Sequence, residues 1–170
     1  QTLRVPRGYV AVKNKYDEEL KTDSISLYPE EMAAAYISRG RNWTPAYFRT
    51  LVDAVADVKN RETVELLRDV VGDERVVVAE AKTFTIDMNG FTWKQGSLYT
   101  KNADAVVTVR DGTIAKRVRS DKGQIILTNV SAAEGMDFYA LGSGEILVTD
   151  DFFRSRTDDR RRPSSVRNGE

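Results

Sequence analysis

A chain of 170 residues, 41% hydrophobic and 31% charged, has room for one domain whose core buries about 70% of the surface that its unfolded form exposes. It has no cysteine and no histidine, which excludes disulfides, thiol nucleophiles, serine–histidine triads, the usual zinc sites and 2-His-1-carboxylate iron within the chain. Its 26 basic and 26 acidic side chains cancel, so the chain lacks the open positive charge of most nucleic-acid-binding domains, and little repulsion opposes contact between copies.

Residues 3–12 read as a short strand with Pro6 and Gly8 near its start, and residues 13–26, with the acidic run Asp17, Glu18, Glu19, as a polar arm. Three helices are expected next. Pro29 stands at a first helical position with Glu30 and Glu31 in the first turn, Met32, Ala33, Tyr36 and Ile37 form the stripe, and Gly40 stops it. Thr44 and Pro45 open a second helix over 45–59, with Trp43 and Phe48 at staple positions and Leu51, Val52, Val55 and Val58 continuing the face. Asn60 caps a third, through Val64, Leu67 and Val71 to Gly72.

From Val76 the apolar period becomes two. Phe84, Ile86 and Met88 alternate with polar residues up to Asn89–Gly90, a type I′ turn signal that predicts a hairpin pairing Met88 with Phe91 and Ile86 with Trp93. Asp111–Gly112 predicts a second hairpin between 105–110 and 113–120, and 124–130 and 145–149 complete about six strands. The expectation is therefore an α+β domain over 1–153, helical over about 28–72 and mostly antiparallel β over 73–153 (a sandwich, a small barrel or one curled sheet). An arginine-rich tail follows over 154–170, too poor in apolar residues to order itself alone.

The helices 29–39 and 45–59 have helix-turn-helix spacing, with Arg39, Arg41, Asn42 and Arg49 able to meet phosphates or bases. Asp53 and Asp57 oppose this, and a plain helical hairpin is the simpler reading. The predicted hairpin 110–122 gathers Arg110, Lys116, Arg117, Arg119 and Lys122, partly neutralised by Asp111 and Asp121, either as a basic ribbon with no interleaved aromatic or as a charged edge that blocks sheet pairing. The tail adds Arg154, Arg156, Arg160, Arg161, Arg162 and Arg167, diluted by Asp158 and Asp159, and suits docking to a partner subunit or to nucleic acid. Asp150 and Asp151 are the best carboxylate pair, but neighbours on a strand point to opposite faces. Gly142-Ser143-Gly144 lacks the lysine and the helix start of a phosphate loop and reads as a hairpin turn; the sequons at Asn42 and Asn129 carry little weight.

These readings favour a non-catalytic structural or assembly protein that contacts its own copies or another protein subunit, with a phage or viral virion component as one form of it. Binding of nucleic acid through 110–122 and the tail is the alternative, and a carboxylate-based enzyme the second. No catalytic residue, cofactor site, metal ligand or small-molecule substrate is expected. With no signal peptide and no membrane-spanning run, the expected location is intracellular or virion-associated.

Overall fold

The computed structural model describes residues 4–17, 22–39, 47–149 and 165–167. It overturns the α+β expectation: the described residues are mostly strand, with little helix, in a β-solenoid-like arrangement. The strands are β1 (Tyr9–Asp17), β2 (Thr22–Pro29), β3 (Ala35–Ile37), β4 (Tyr47–Phe48), β5 (Thr63–Leu66), β6 (Glu74–Val78), β7 (Thr83–Asp87), β8 (Thr92–Trp93), β9 (Gly96–Ile114), β10 (Arg117–Ala132), β11 (Asp137–Ala140), β12 (Glu145–Val148) and β13 (Ser165–Arg167). The one α-helix among the described residues, α1, is Leu51–Asp57.

From β5 to β12 the chain winds in stacked coils with parallel pairing throughout. Val64 pairs with Ile86, Ile86 with Val109, Val109 with Leu127 and Leu127 with Val148, partners that lie 22, 23, 18 and 21 residues apart. Three faces result. A threonine face holds β5, β7, residues 106–110 and 124–128, and β12; a short face holds Val70, β8, 112–114 and 130–132; an aromatic face holds β6, 96–101, 117–122 and β11. Alternate residues point inward, so Val76, Leu98, Val118 and Phe138 stack inside the aromatic face, and Phe84, Val107, Ile125 and Ile146 inside the threonine face. Each fully buried aliphatic contributes about 1.5–3 kcal/mol, and the contact recurs at every coil.

The corners explain the turn signals. Asn89 and Gly90 both have positive φ, and the Phe91 amide donates to the Met88 carbonyl at 2.8 Å, as a type I′-like turn requires. No hairpin follows, because β7 and β8 each pair in parallel with β9 rather than with one another. Asp111 and Asn129 repeat the positive φ on the next two coils, and the Asn129 side-chain amide donates to Asp111 Oδ1 at 2.9 Å. The expected hairpins at 89–90 and 111–112 are thus two rungs of one corner, and Gly142-Ser143-Gly144 is a corner between parallel strands β11 and β12 that both pair with β10.

The expected helices dissolve for the same reason. Residues 29–39 give the end of β2, a 3-10 turn at Glu30–Met32, and β3 antiparallel to β5. The third helix is β5, whose alternating burial at Thr63–Leu66 is that of a strand. Of the second only Leu51–Asp57 is helical. Its cap is Thr50, whose Oγ1 accepts from the Asp53 amide at 3.0 Å, and Thr44 with Pro45 lies outside the described residues. The first strand begins at Tyr9 and runs through part of the expected arm, pairing with β2. Within the expected tail, Ser165–Arg167 form β13, antiparallel to β12.

The N-terminal end of the coils is closed by α1, which buries Leu51, Ala54 and Val55. Side chains from the coils hold both its ends. Glu74 Oε1 accepts from the Val52 amide at 3.0 Å, while Lys82 Nζ donates to the Val55 and Val58 carbonyls at 2.7 and 3.2 Å. The charges match the helix dipole at each end. Burial pushes the Glu74 carboxyl above its ordinary pKa and the Lys82 ammonium below its own, so both charges are held against desolvation.

Candidate functional site

Outward-facing residues also stack in columns. On the threonine face one column is Thr63, Thr85, Thr108, Ile126 and Leu147, a flat and mostly polar strip. The aromatic face is different. Its central column is Val77, Tyr99, Arg119 and Tyr139, flanked on one side by Arg75, Ser97, Arg117 and Asp137. Val77 is 52% exposed, Tyr139 40%, and Leu141, just beyond β11, 43%. Among the described residues this is where exposed aliphatic, aromatic and arginine side chains share one regular sheet surface.

Its polar groups are organised before any partner arrives. Arg119 lies over the Tyr99 ring at 4.6 Å and grips Asp121 with two hydrogen bonds of 2.7 and 2.9 Å. Tyr99 donates its hydroxyl to the same carboxylate at 2.5 Å, and Lys101 sits 5.5 Å from the Tyr99 ring centre. The hydrogen bonds from Arg119 and then from Tyr99 hold the Asp121 carboxyl below its usual range, and the bond to Asp121 raises the Tyr99 hydroxyl. Tyr99 therefore stays protonated at neutral pH and is no poised base. Arg117 repeats the pattern on Tyr139, with its guanidinium 5.1 Å from the ring centre and an ion pair to Asp137 at 3.4 Å.

The expected basic ribbon 110–122 is not a hairpin, and its residues are dealt round the coil. Arg110 lies on the threonine face, paired with Asp87 at 3.1 Å. Lys116 stands at a corner where its carbonyl accepts from the Asp137 amide at 2.9 Å, and Arg117, Arg119 and Lys122 follow on the aromatic face. The aromatics missing from the linear stretch are supplied by neighbouring coils, Tyr99 on one side and Tyr139 on the other. Stacking brought them together, and neither they nor Val77 stood out in the sequence, whereas Asp121 is legible there as a neutralising charge; a repeat read from Asn89, Asp111 and Asn129 would have aligned them.

The helix-turn-helix reading falls with its helices. Arg39 has a side chain only 2% exposed; it bonds Glu62 at 2.8 and 2.9 Å and the Asp57 carboxylate at 2.6 Å. Arg49 lies 4.7 Å from the Tyr28 ring centre, and Arg41 and Asn42 are outside the described residues. The sequon residue Asn129 has its amide engaged at the corner. Arg154, Arg156, Arg160, Arg161, Arg162, Asp150 and Asp151 also lie outside the described residues, while Arg167 sits opposite Glu145 in the β12–β13 register. No group of three acidic side chains placed to hold a metal ion occurs among the described residues.

Comparison with family models, curated proteins and solved structures found no match to this chain.

Proposed function

We propose that this chain is a non-catalytic interaction subunit that binds another protein chain through the aromatic face. One observation carries the reading: exposed Val77, Tyr139 and Leu141 stand beside arginines whose charge is already matched by Asp121 and Asp137. Interface centres are rich in tyrosine and arginine and poor in uncompensated charge, and side chains ordered in advance lose less entropy on binding. The nucleic-acid alternative loses support from the same pairs. A phosphate would have to compete with a carboxylate at Arg110, Arg117 and Arg119, and counterion release from neutralised groups is small. No observation supports the expectation of a virion component.

The test places a photo-crosslinking side chain at Tyr139 and, as a control, at Thr85, in the full chain within its native source. Protein adducts from position 139 that vanish when Val77→Asp is added, with few from position 85, are the expected result. Equal labelling at both positions, or tight single-stranded DNA binding that weakens steeply with salt, would overturn the reading.

A further inference from the structure

Read from the N-terminal coil to the C-terminal one, the aromatic face complements itself when its order is reversed. One flank runs Arg75, Ser97, Arg117 and Asp137, basic at the first coil and acidic at the fourth. The central column runs Val77, Tyr99, Arg119 and Tyr139. The other flank is made by the residues that follow Val78, Thr100, Ser120 and Ala140 in the register, which are Ala79, Lys101, Asp121 and Leu141.

A twofold axis parallel to the strands sets a second copy face to face with the first and turns it end over end. The first coil then meets the fourth, the second meets the third, and each column meets itself. Arg75 comes opposite Asp137 of the other copy, Val77 opposite Tyr139, and Ala79 opposite Leu141. In the middle Tyr99 comes opposite Arg119, Lys101 opposite Asp121, and the Ser97 hydroxyl opposite the Arg117 guanidinium. Opposite charges, apolar pairs and a ring against a guanidinium thus coincide along the whole face. The twofold along the coil axis does worse, because it sets Arg119 on Arg119 and Asp137 against Leu141.

The end charges are free to change partners. The Arg75 side chain is 75% exposed and holds Asp73 at 3.3 Å, while that of Asp137 is 49% exposed and holds Arg117 at 3.4 Å. Exposed pairs of this kind contribute little, so little is lost when they re-pair across copies. The zero net charge of the chain adds no general repulsion.

We infer that the partner met by the aromatic face is a second copy of this chain, docked about a twofold axis parallel to the strands so that the two stacks of coils run in opposite directions. This rests on the interaction-subunit reading above and names its partner. The contact is isologous and closes at a dimer. The face is smaller than the roughly 20–30 residues a side of a standard interface, so the dimer is weak and exchanges.

Sedimentation of the full-length protein should show a monomer–dimer equilibrium. Arg75→Asp and Asp137→Arg each oppose like charges at both ends of the dimer and should weaken it at least tenfold, with unchanged circular dichroism spectra. An equimolar mixture of the two should regain at least tenfold in affinity, because each copy then carries the charge that the other lacks. The chain has no cysteine, so Val77→Cys and Tyr139→Cys supply unique thiols. Facing sheets lie about 10 Å apart, too far for a disulfide, so a short bismaleimide is the probe. It should join the mixture of the two cysteine variants and neither variant alone. A wild type that is monomeric at its highest soluble concentration, a charge-variant mixture no tighter than its components, or Val77→Cys joining to itself would overturn the inference. A monomeric chain whose position 139 still labels a different protein leaves the aromatic-face reading standing, whereas equal labelling at positions 139 and 85 removes both.

Discussion

Between Thr63 and Val148 one contact is made over and over: an aliphatic side chain lies on the aliphatic side chain one coil away, and its backbone bonds to the same neighbour. Between Tyr9 and Asp57 nothing repeats. The strands there are antiparallel or short, and closure depends on single contacts: Arg39 with Asp57 and Glu62, Glu74 and Lys82 on the ends of α1, Thr50 as its cap. The comparison teaches that redundancy is unequal. A coil that loses one contact keeps its neighbours, whereas the cap stands on groups with no substitute.

Arg39→Ala is the harshest way to break the comparison. It leaves Asp57 and Glu62 partly buried without their cation, and about 4 kcal/mol should be lost in denaturant unfolding. Amide exchange should rise first in β3 and α1 while 124–128 stays protected; uniform acceleration would mean that cap and coils are one cooperative unit. Gly96→Ala asks the same of the coils. With φ at +101° and a Cβ that would overlap the Glu74 carbonyl, it should cost about 3 kcal/mol, read as a fall in the denaturant midpoint.

Acid sharpens the contrast. Burial works against the Glu62 carboxylate, but hydrogen bonds from Arg39 and from the Lys59 amide outweigh it and hold its pKa below the ordinary value. A carboxyl lowered on folding adds stability that is fully present above its unfolded value, about 4.3, and is lost as pH falls through the lower folded one. Exchange in β3 and α1 should therefore quicken as the Glu62 carboxylate is protonated, against the raised Glu74 carboxyl, which works in the opposite sense, and Arg39→Ala should flatten the part of that pH dependence that Glu62 supplies. Asn129→Ala removes a corner hydrogen bond at a positive φ and should cost about 1–2 kcal/mol, with Asn129→Gly milder because glycine adopts that φ freely. Arg110→Ala, which removes a half-exposed guanidinium from the mostly buried Asp87, should cost about 1 kcal/mol in denaturant unfolding.

How much of this was legible varies from element to element. Strands over 124–130 and 145–149 were readable because their burial alternates within a few residues. The turns at Asn89–Gly90 and Asp111–Gly112 were also readable, since only a few residue types accept positive φ. The turn chemistry was right and the partner wrong. A positive-φ turn bends the chain locally, but whether its strands pair with each other or with coils above and below depends on residues some 20 positions away. The helix at 60–71 was an accident of Val64, Leu67 and Val71 falling at helical spacing in a stretch that pairs as a strand. At 51–57 the stripe is real, and the helix starts at the nearer cap Thr50, whose hydroxyl accepts from Asp53, rather than at Thr44 with Pro45. Of the candidate site, Arg117 and Arg119 were singled out, but their tyrosines were not, because they are neighbours only across coils.

Local chemistry settled the alternation of 124–130 and 145–149, where the chain can turn, and that no cysteine or histidine chemistry is available within it, because each of these depends on a residue and its near neighbours. Packing across coils set the rest: the strands run parallel in a stack, Arg39 is buried while Tyr139 is exposed, and tyrosines and arginines about 20 residues apart form one surface. Those outcomes follow from long-range register, which the core sets by matching one coil's aliphatic column to the next.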